Sequence, residues 1–204
     1  MTDQAAAALR FRELHERPEP LLLPNPWDPG TARLLASLGF EALATTSLGV
    51  ANQLGRRRAS RQAILGNLRA ISDATPLPVN VVLTARAENL LWQAGDLDDT
   101  ISRLRAFEEA GADVLYAPGL RTLDEMRAVV SSVGGPVNVV MGFADPEITL
   151  AQLAEIGVRR VSIGGALSRV ALRSFMDAAK EMRAGHFGFV TRMAPLTDFH
   201  PLFT

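Results

Sequence analysis

Arg86 is the side chain in this sequence best placed to meet an anion. It closes the apolar run Val81-Val82-Leu83-Thr84-Ala85, and a guanidinium at the end of a buried strand is costly unless a negative charge faces it. That charge is either a bound carboxylate or a carboxylate of the protein, with Glu88 the nearest candidate. A second stretch, Thr46-Ser47-Leu48-Gly49, stands where an apolar run ends and the chain turns. Its hydroxyls and N–H groups can hold a carboxylate or serve the turn alone. Trp27 lines the rim of such a pocket or packs beneath it. Asp28-Pro29 reads as a helix cap with proline at the first helical position, which puts a structural role for Asp28 ahead of a metal-binding one. Glu88 lies just beyond the strand, where it can pair with Arg86. His15, His186 and His200 lie in the terminal segments with no nucleophile beside them, so surface or helix-end places are expected. Arg56-Arg57-Arg58 reads as a solvated turn ahead of a phosphate site. No residue is assigned a catalytic role on type and spacing alone.

The elements that must position these residues are marked by glycine and proline. In Leu38-Gly39-Phe40, Ala110-Gly111-Ala112 and Ile156-Gly157-Val158 a helical pattern stops at glycine and an apolar run follows. Glycine there reads as the left-handed residue closing a helix, and the run as a buried strand. Three further strands open at proline, in 20–24, 78–83 and 136–141, where the missing N–H is not yet needed by the ladder. Six strands result, the second at 42–46. The intervening helices are predicted at 31–38, 61–73, 98–110, 123–133, 150–156 and 167–184, with Ser60 and Asp96 as further caps. Such alternation means a parallel sheet, because parallel strands need a crossover and a helix is the usual one. The turn after the first strand, Pro24-Asn25-Pro26-Trp27-Asp28, lacks the glycines of a dinucleotide fold. Spacing alone leaves open whether the sheet closes. The tail 185–204 carries Phe187, Phe189, Phe199 and Phe203, expected to be buried on the domain itself or on a partner.

Composition narrows the classes. The chain has 204 residues, 48% of them hydrophobic and 21% charged, with a net charge of −1. This is a globular balance with no basic surplus to attract nucleic acid. With no cysteine, disulfides, thiolate catalysis and cysteine-bound zinc are excluded. No apolar run approaches the ~18 residues that span a bilayer. The N-terminus does not read as a signal peptide, and a cytoplasmic location is expected.

Several segments, in order, resemble the isocitrate lyase/phosphoenolpyruvate mutase family. They are Leu23-Pro24-Asn25-Pro26-Trp27-Asp28, Ala42 to Ala51, Leu83-Thr84-Ala85-Arg86-Ala87-Glu88-Asn89, Glu109 to Val114, Pro136-Val137-Asn138-Val139 and Gly157 to Gly164. The resemblance implies an α/β fold derived from the (β/α)₈ TIM barrel, and a Mg²⁺-dependent lyase acting on small 2-oxo or 2-hydroxy acids through an enolate. It implies that Arg86 forks onto a substrate carboxylate, a geometry suited to arginine. It places Trp27, Thr46, Ser47, Leu48 and Gly49 around the same small carboxylic acid. It also implies a homo-oligomer, a dimer or tetramer, often with the last helix exchanged.

One departure bears on mechanism. The family places an Asp-x-Glu pair after its Pro-Val strand and a Glu-Asp pair on the next. Here Pro78-Val79-Asn80 runs directly into Val81-Val82-Leu83-Thr84-Ala85-Arg86. The expectation is a single domain over 1–204 that lacks about two βα units near 80–81, leaving six parallel strands in an incomplete or reclosed barrel. The usual carboxylates for magnesium are then absent, and Glu88 is left as a weak candidate ligand, since magnesium is bound by one or two carboxylates together with water and substrate. Activity is expected to be impaired, with a non-catalytic carboxylate-binding or subunit-interaction protein as the alternative.

Overall fold

A computed structural model describes residues 3–75 and 82–203. In chain order it contains α1 (Asp3–Glu16), β1 (Leu21–Leu23), α2 (Pro29–Ser37), α3 (Ser47–Gln53), α4 (Arg61–Ala74) and β2 (Thr84–Arg86). There follow α5 (Leu97–Glu109), β3 (Val114–Tyr116), α6 (Leu123–Ser132), β4 (Val137–Val140), α7 (Leu150–Glu155), β5 (Arg160–Ser162) and α8 (Ala166–Arg183). The tail continues in three 3₁₀ turns between Gly188 and Leu202. Two compact units are formed. One comprises Met1–Leu23 with Pro78–Ile163, the other Pro24–Leu77 with Gly164–Thr204.

The first unit holds the whole sheet. All its pairings are parallel, in the order β1-β5-β4-β3-β2. The first strand therefore pairs with the last, as closure of a barrel requires, while β2 to β5 follow one another in sequence. On one face Leu115, Val137, Val139 and Val161 enter a buried cluster with Leu104, Met126, Val129, Leu153 and Val158. This is the alternation of a strand laid against helices. The opposite face carries a row of polar side chains among apolar ones such as Leu21, Val114 and Val140, and one contact there measures the curvature. Arg160 on β5 donates from Nη2 to Thr84 Oγ1 on β2 at 3.0 Å, although three strand spacings separate them. Flat, that gap would be about 14 Å, beyond the reach of one arginine. The sheet is bent around this face as in a barrel.

The helix signals hold. Asp28, Ser60 and Asp96 each accept a hydrogen bond from a first-turn amide. Gly39, Gly111 and Gly157 stand at φ +86°, +91° and +86°, the left-handed region that only glycine enters freely. Two expectations are corrected. Five strands form among the described residues, not six, and the stretch 42–46 has no ladder. Both backbone groups of Ala44 are taken locally, its N–H by Pro24 O at 3.1 Å and its carbonyl by the Asn25 amide at 2.9 Å. Ser47–Gln53 is a helix rather than a turn, because Thr46 caps it. His15 takes a helix-end place, as expected, in the last turn of α1, and is buried there. It is 4% exposed, and its Nδ1 lies 2.8 Å from Phe11 O. Burial holds its pKa below the ordinary histidine value.

The predicted strand at 78–83 falls mostly on residues 76–81, which lie outside the described residues, as does the junction at 80–81. The strand observed next begins at Thr84. In the tail Phe189 and Phe199 are half-buried, whereas Phe187 and Phe203 are exposed.

Candidate functional site

The polar face of the first unit is built by register. Arg86 on β2 stands beside Tyr116 on β3, Tyr116 beside Asn138 on β4, and Asn138 beside Arg160 on β5. Side chains at matching register in parallel strands share one face, so these four form a row across the sheet. The Arg86 guanidinium lies over the Tyr116 ring, 4.9 Å from its centroid, a cation–π arrangement. Its Nη2 is 2.6 Å from Glu88 Oε1, and the other Glu88 oxygen accepts from Trp92 Nε1 at 3.4 Å. Arg86 is not buried. Its side chain is 50% exposed and that of Glu88 43%, so the pair is solvated and open to exchange. Asn138 accepts from Arg160 Nε at 2.9 Å and donates to Ser162 Oγ at 3.1 Å.

The second unit holds the other predicted residues together. Thr46 is buried and its Oγ accepts from Gly49 N at 3.3 Å. Gly49 packs directly on Trp27, and a Cβ built on it would stand 2.7 Å from Trp27 Cβ. Asn67 joins the two segments, donating to Trp27 O at 2.6 Å and accepting from Thr45 Oγ1 at 2.8 Å. Asn25 ties 44 to 164 by donating to Ala44 O and accepting from Gly164 N at 2.8 Å. Ser47 and Leu48 remain exposed at the end of this buried web.

Magnesium, which the family resemblance implies, does not fit the donors present. Asp28 Oδ1 is occupied by its capping box, accepting from Thr31 N at 2.7 Å and Thr31 Oγ1 at 2.9 Å. Glu88 is engaged by Arg86 and Trp92. Among the described residues no three histidines, cysteines or carboxylates cluster to hold a metal. One carboxylate already paired to arginine is a poor start for an octahedral oxygen shell.

Tyr116, Asn138 and Arg160 were not singled out from the sequence. The signal was there: a polar residue alternates with apolar ones in Val-Leu-Tyr, Pro-Val-Asn-Val and Arg-Val-Ser. Recognising them as one row required the register.

Comparison with known proteins agrees with this architecture. The family model described as phosphoenolpyruvate phosphomutase matches residues 11–81 and 78–183. The chain belongs to that family, and its fold is the TIM-barrel-like α/β fold of the phosphoenolpyruvate mutase/isocitrate lyase superfamily. A provisionally assigned lyase/mutase from Burkholderia cenocepacia J2315 superposes with a TM-score of 0.85 at 38% identity, over 98% of this chain and 96% of that one. Oxaloacetate decarboxylase of Pseudomonas aeruginosa is 28% identical over 153 residues, 73% of this chain and 52% of that protein. The chain thus spans about half the length of that decarboxylase. A phosphonopyruvate hydrolase solved with oxalate and Mg²⁺ shares the fold, with a TM-score of 0.81 at 18% identity over 96% of this chain and 94% of that one. Among the described residues no helix is long and apolar enough to cross a membrane.

Proposed function

We propose that this chain binds a small 2-oxo or 2-hydroxy acid through Arg86, and that the carbon–carbon or phosphorus–carbon lyase chemistry of its family is impaired in it. The observation that carries this is the Arg86 guanidinium, poised on Tyr116 at the end of β2 and paired, among the described residues, with a half-exposed Glu88. A guanidinium so placed can exchange Glu88 for a ligand carboxylate at small cost, since exposed ion pairs contribute about 0–1 kcal/mol. Within the second unit, Ser47 and the backbone at Leu48 and Gly49, packed on Trp27, are separately proposed to bind a carboxylate. Impairment follows from the donor set, because electrostatic stabilisation of developing charge is commonly the largest catalytic contribution. The two stretches matched by the family model meet at 78–81, which supports the reading that about two βα units are missing there.

The test is calorimetric titration of the folded chain with oxalate, an enolate mimic, with and without Mg²⁺. Oxalate binding that is unchanged by Mg²⁺ is expected. Tight binding of Mg²⁺ coupled to oxalate would overturn the impairment, and no oxalate binding would overturn the carboxylate site. The same donor set favours a second reading, a non-catalytic carboxylate-binding protein. Turnover of oxaloacetate at the rate of intact relatives would exclude it.

Homo-oligomer formation is also proposed. Val170, Leu172, Phe175, Met176 and Met182 on α8 are exposed, with Phe187 and Met193 beyond it. Isolated exposed apolar residues are ordinary, but Leu172, Phe175 and Met176 share one face of α8 by their i, i+3, i+4 spacing, and a grouped apolar face marks an interface. Sedimentation velocity should show a dimer or tetramer, and a monomer at micromolar concentration would refute the assignment.

A further inference from the structure

Arg160 is the most deeply buried cation of the polar face, 7% exposed. A buried guanidinium is normally paired with a carboxylate, because leaving it uncompensated costs several kcal/mol. Here it is not. Its two hydrogen bonds from Nε and Nη2 go to the neutral oxygens of Asn138 and Thr84, and among the described residues no acid lies within ion-pair distance. A guanidinium has five N–H donors, so three remain. The two titratable neighbours supply no charge either. Burial raises the Tyr116 phenol and keeps it protonated, and burial together with the field of Arg160 lowers His15 and keeps it neutral. The His15 Nε2, buried without a hydrogen bond, is then an acceptor and cannot offset the guanidinium. Desolvation outweighs an opposing influence of Tyr116 and brings the Arg160 pKa down to about 10, so the cation persists at neutral pH.

We propose that the Arg160 guanidinium is the seat of a small monovalent anion, a carboxylate or a halide, on the inner face of the curved sheet. The seat is separate from that at Arg86. Arg160 is anchored at Thr84, one side-chain repeat before Arg86 on β2, which places the two about 7 Å apart along that strand. The bound anion supplies the counter-charge that the described residues lack, and it does so without Glu88.

The test uses the full ¹⁵N-labelled chain in halide-free buffer. The assigned Arg160 Nε–H signal is followed during separate titrations with sodium formate and sodium chloride, in the native chain and in Arg86→Met. A saturable shift of that signal is expected, with a dissociation constant that changes less than about twofold in Arg86→Met, the additivity expected of independent sites. Stronger response to formate identifies a carboxylate seat, and stronger response to chloride a halide seat. A drift linear in salt, or a shift lost in Arg86→Met, would overturn the proposal. Oxalate binding at Arg86 is read on the separate Arg86 Nε–H signal, so either seat can fail without the other.

Discussion

Replacing Arg86 with methionine should weaken oxalate binding by about 10- to 150-fold. Hydrogen bonds to charged groups contribute about 1.5–3 kcal/mol, and each 1.4 kcal/mol is tenfold in affinity. The fold should tolerate the change. Both partners of the Arg86–Glu88 pair are roughly half exposed, and a solvated pair contributes at most about 1 kcal/mol. Arg86→Lys should fall between, since an ammonium keeps the charge but loses the planar fork. Glu88→Gln works in the opposite direction, because it removes the carboxylate with which a ligand must compete. Its gain should stay below about fivefold, the equivalent of a surface ion pair. Calorimetry on the four proteins checks the order Glu88→Gln, native, Arg86→Lys, Arg86→Met. Equal affinity in Arg86→Met and native protein would remove Arg86 from the site.

How much of this was legible in the residues depends on whether the signal was local. Caps at Asp28, Ser60 and Asp96 and left-handed glycines at 39, 111 and 157 are local chemistry, and the helices they bound were read within a few residues. The strand expected at 42–46 failed for a non-local reason. Its composition suits a strand, but Asn25 and Pro24 take both hydrogen-bonding groups of Ala44, and no ladder partner adjoins it. Arg86 was found because it ends an apolar run. Its assumed burial was wrong, since exposure depends on what covers the strand end. Arg160 follows Arg159 in the sequence and was not singled out there. Its neighbour Arg159 donates to Arg17 O at 2.8 Å, while Arg160 points to the polar face. Sequence alternation separates the two, and only the strand order shows that Arg160 crosses to β2. The magnesium ligands were judged from what does not stand at the strand ends. The occupied carboxylates of Asp28 and Glu88 add a reason of a different kind: each already has a partner.

Gly49→Ala should destabilise the second unit by about 2–4 kcal/mol. The added methyl would stand 2.6 Å from Thr46 Cγ2 and 2.7 Å from Trp27 Cβ, far inside van der Waals contact. Neither atom is the end of a flexible chain. Trp27 Cβ is fixed by its backbone, whose N–H donates to Thr31 Oγ1 and whose carbonyl accepts from Asn67. Thr46 could turn its methyl away only by rotating Oγ1 off the Gly49 amide that it caps. Overpacking costs about 1–3 kcal/mol and loss of a cap about 1 kcal/mol, and here relief of one incurs the other. The matched control is Gly66→Ala in α4, where a Cβ meets nothing within 4 Å. That change should be neutral or stabilising by up to about 1 kcal/mol, because alanine is the better helix former. Urea unfolding of the three proteins checks the contrast. If Gly49→Ala unfolds at the native midpoint, the close packing of Thr46, Gly49 and Trp27 is refuted, and with it the rigid base on which Ser47 and Leu48 are presented to a ligand.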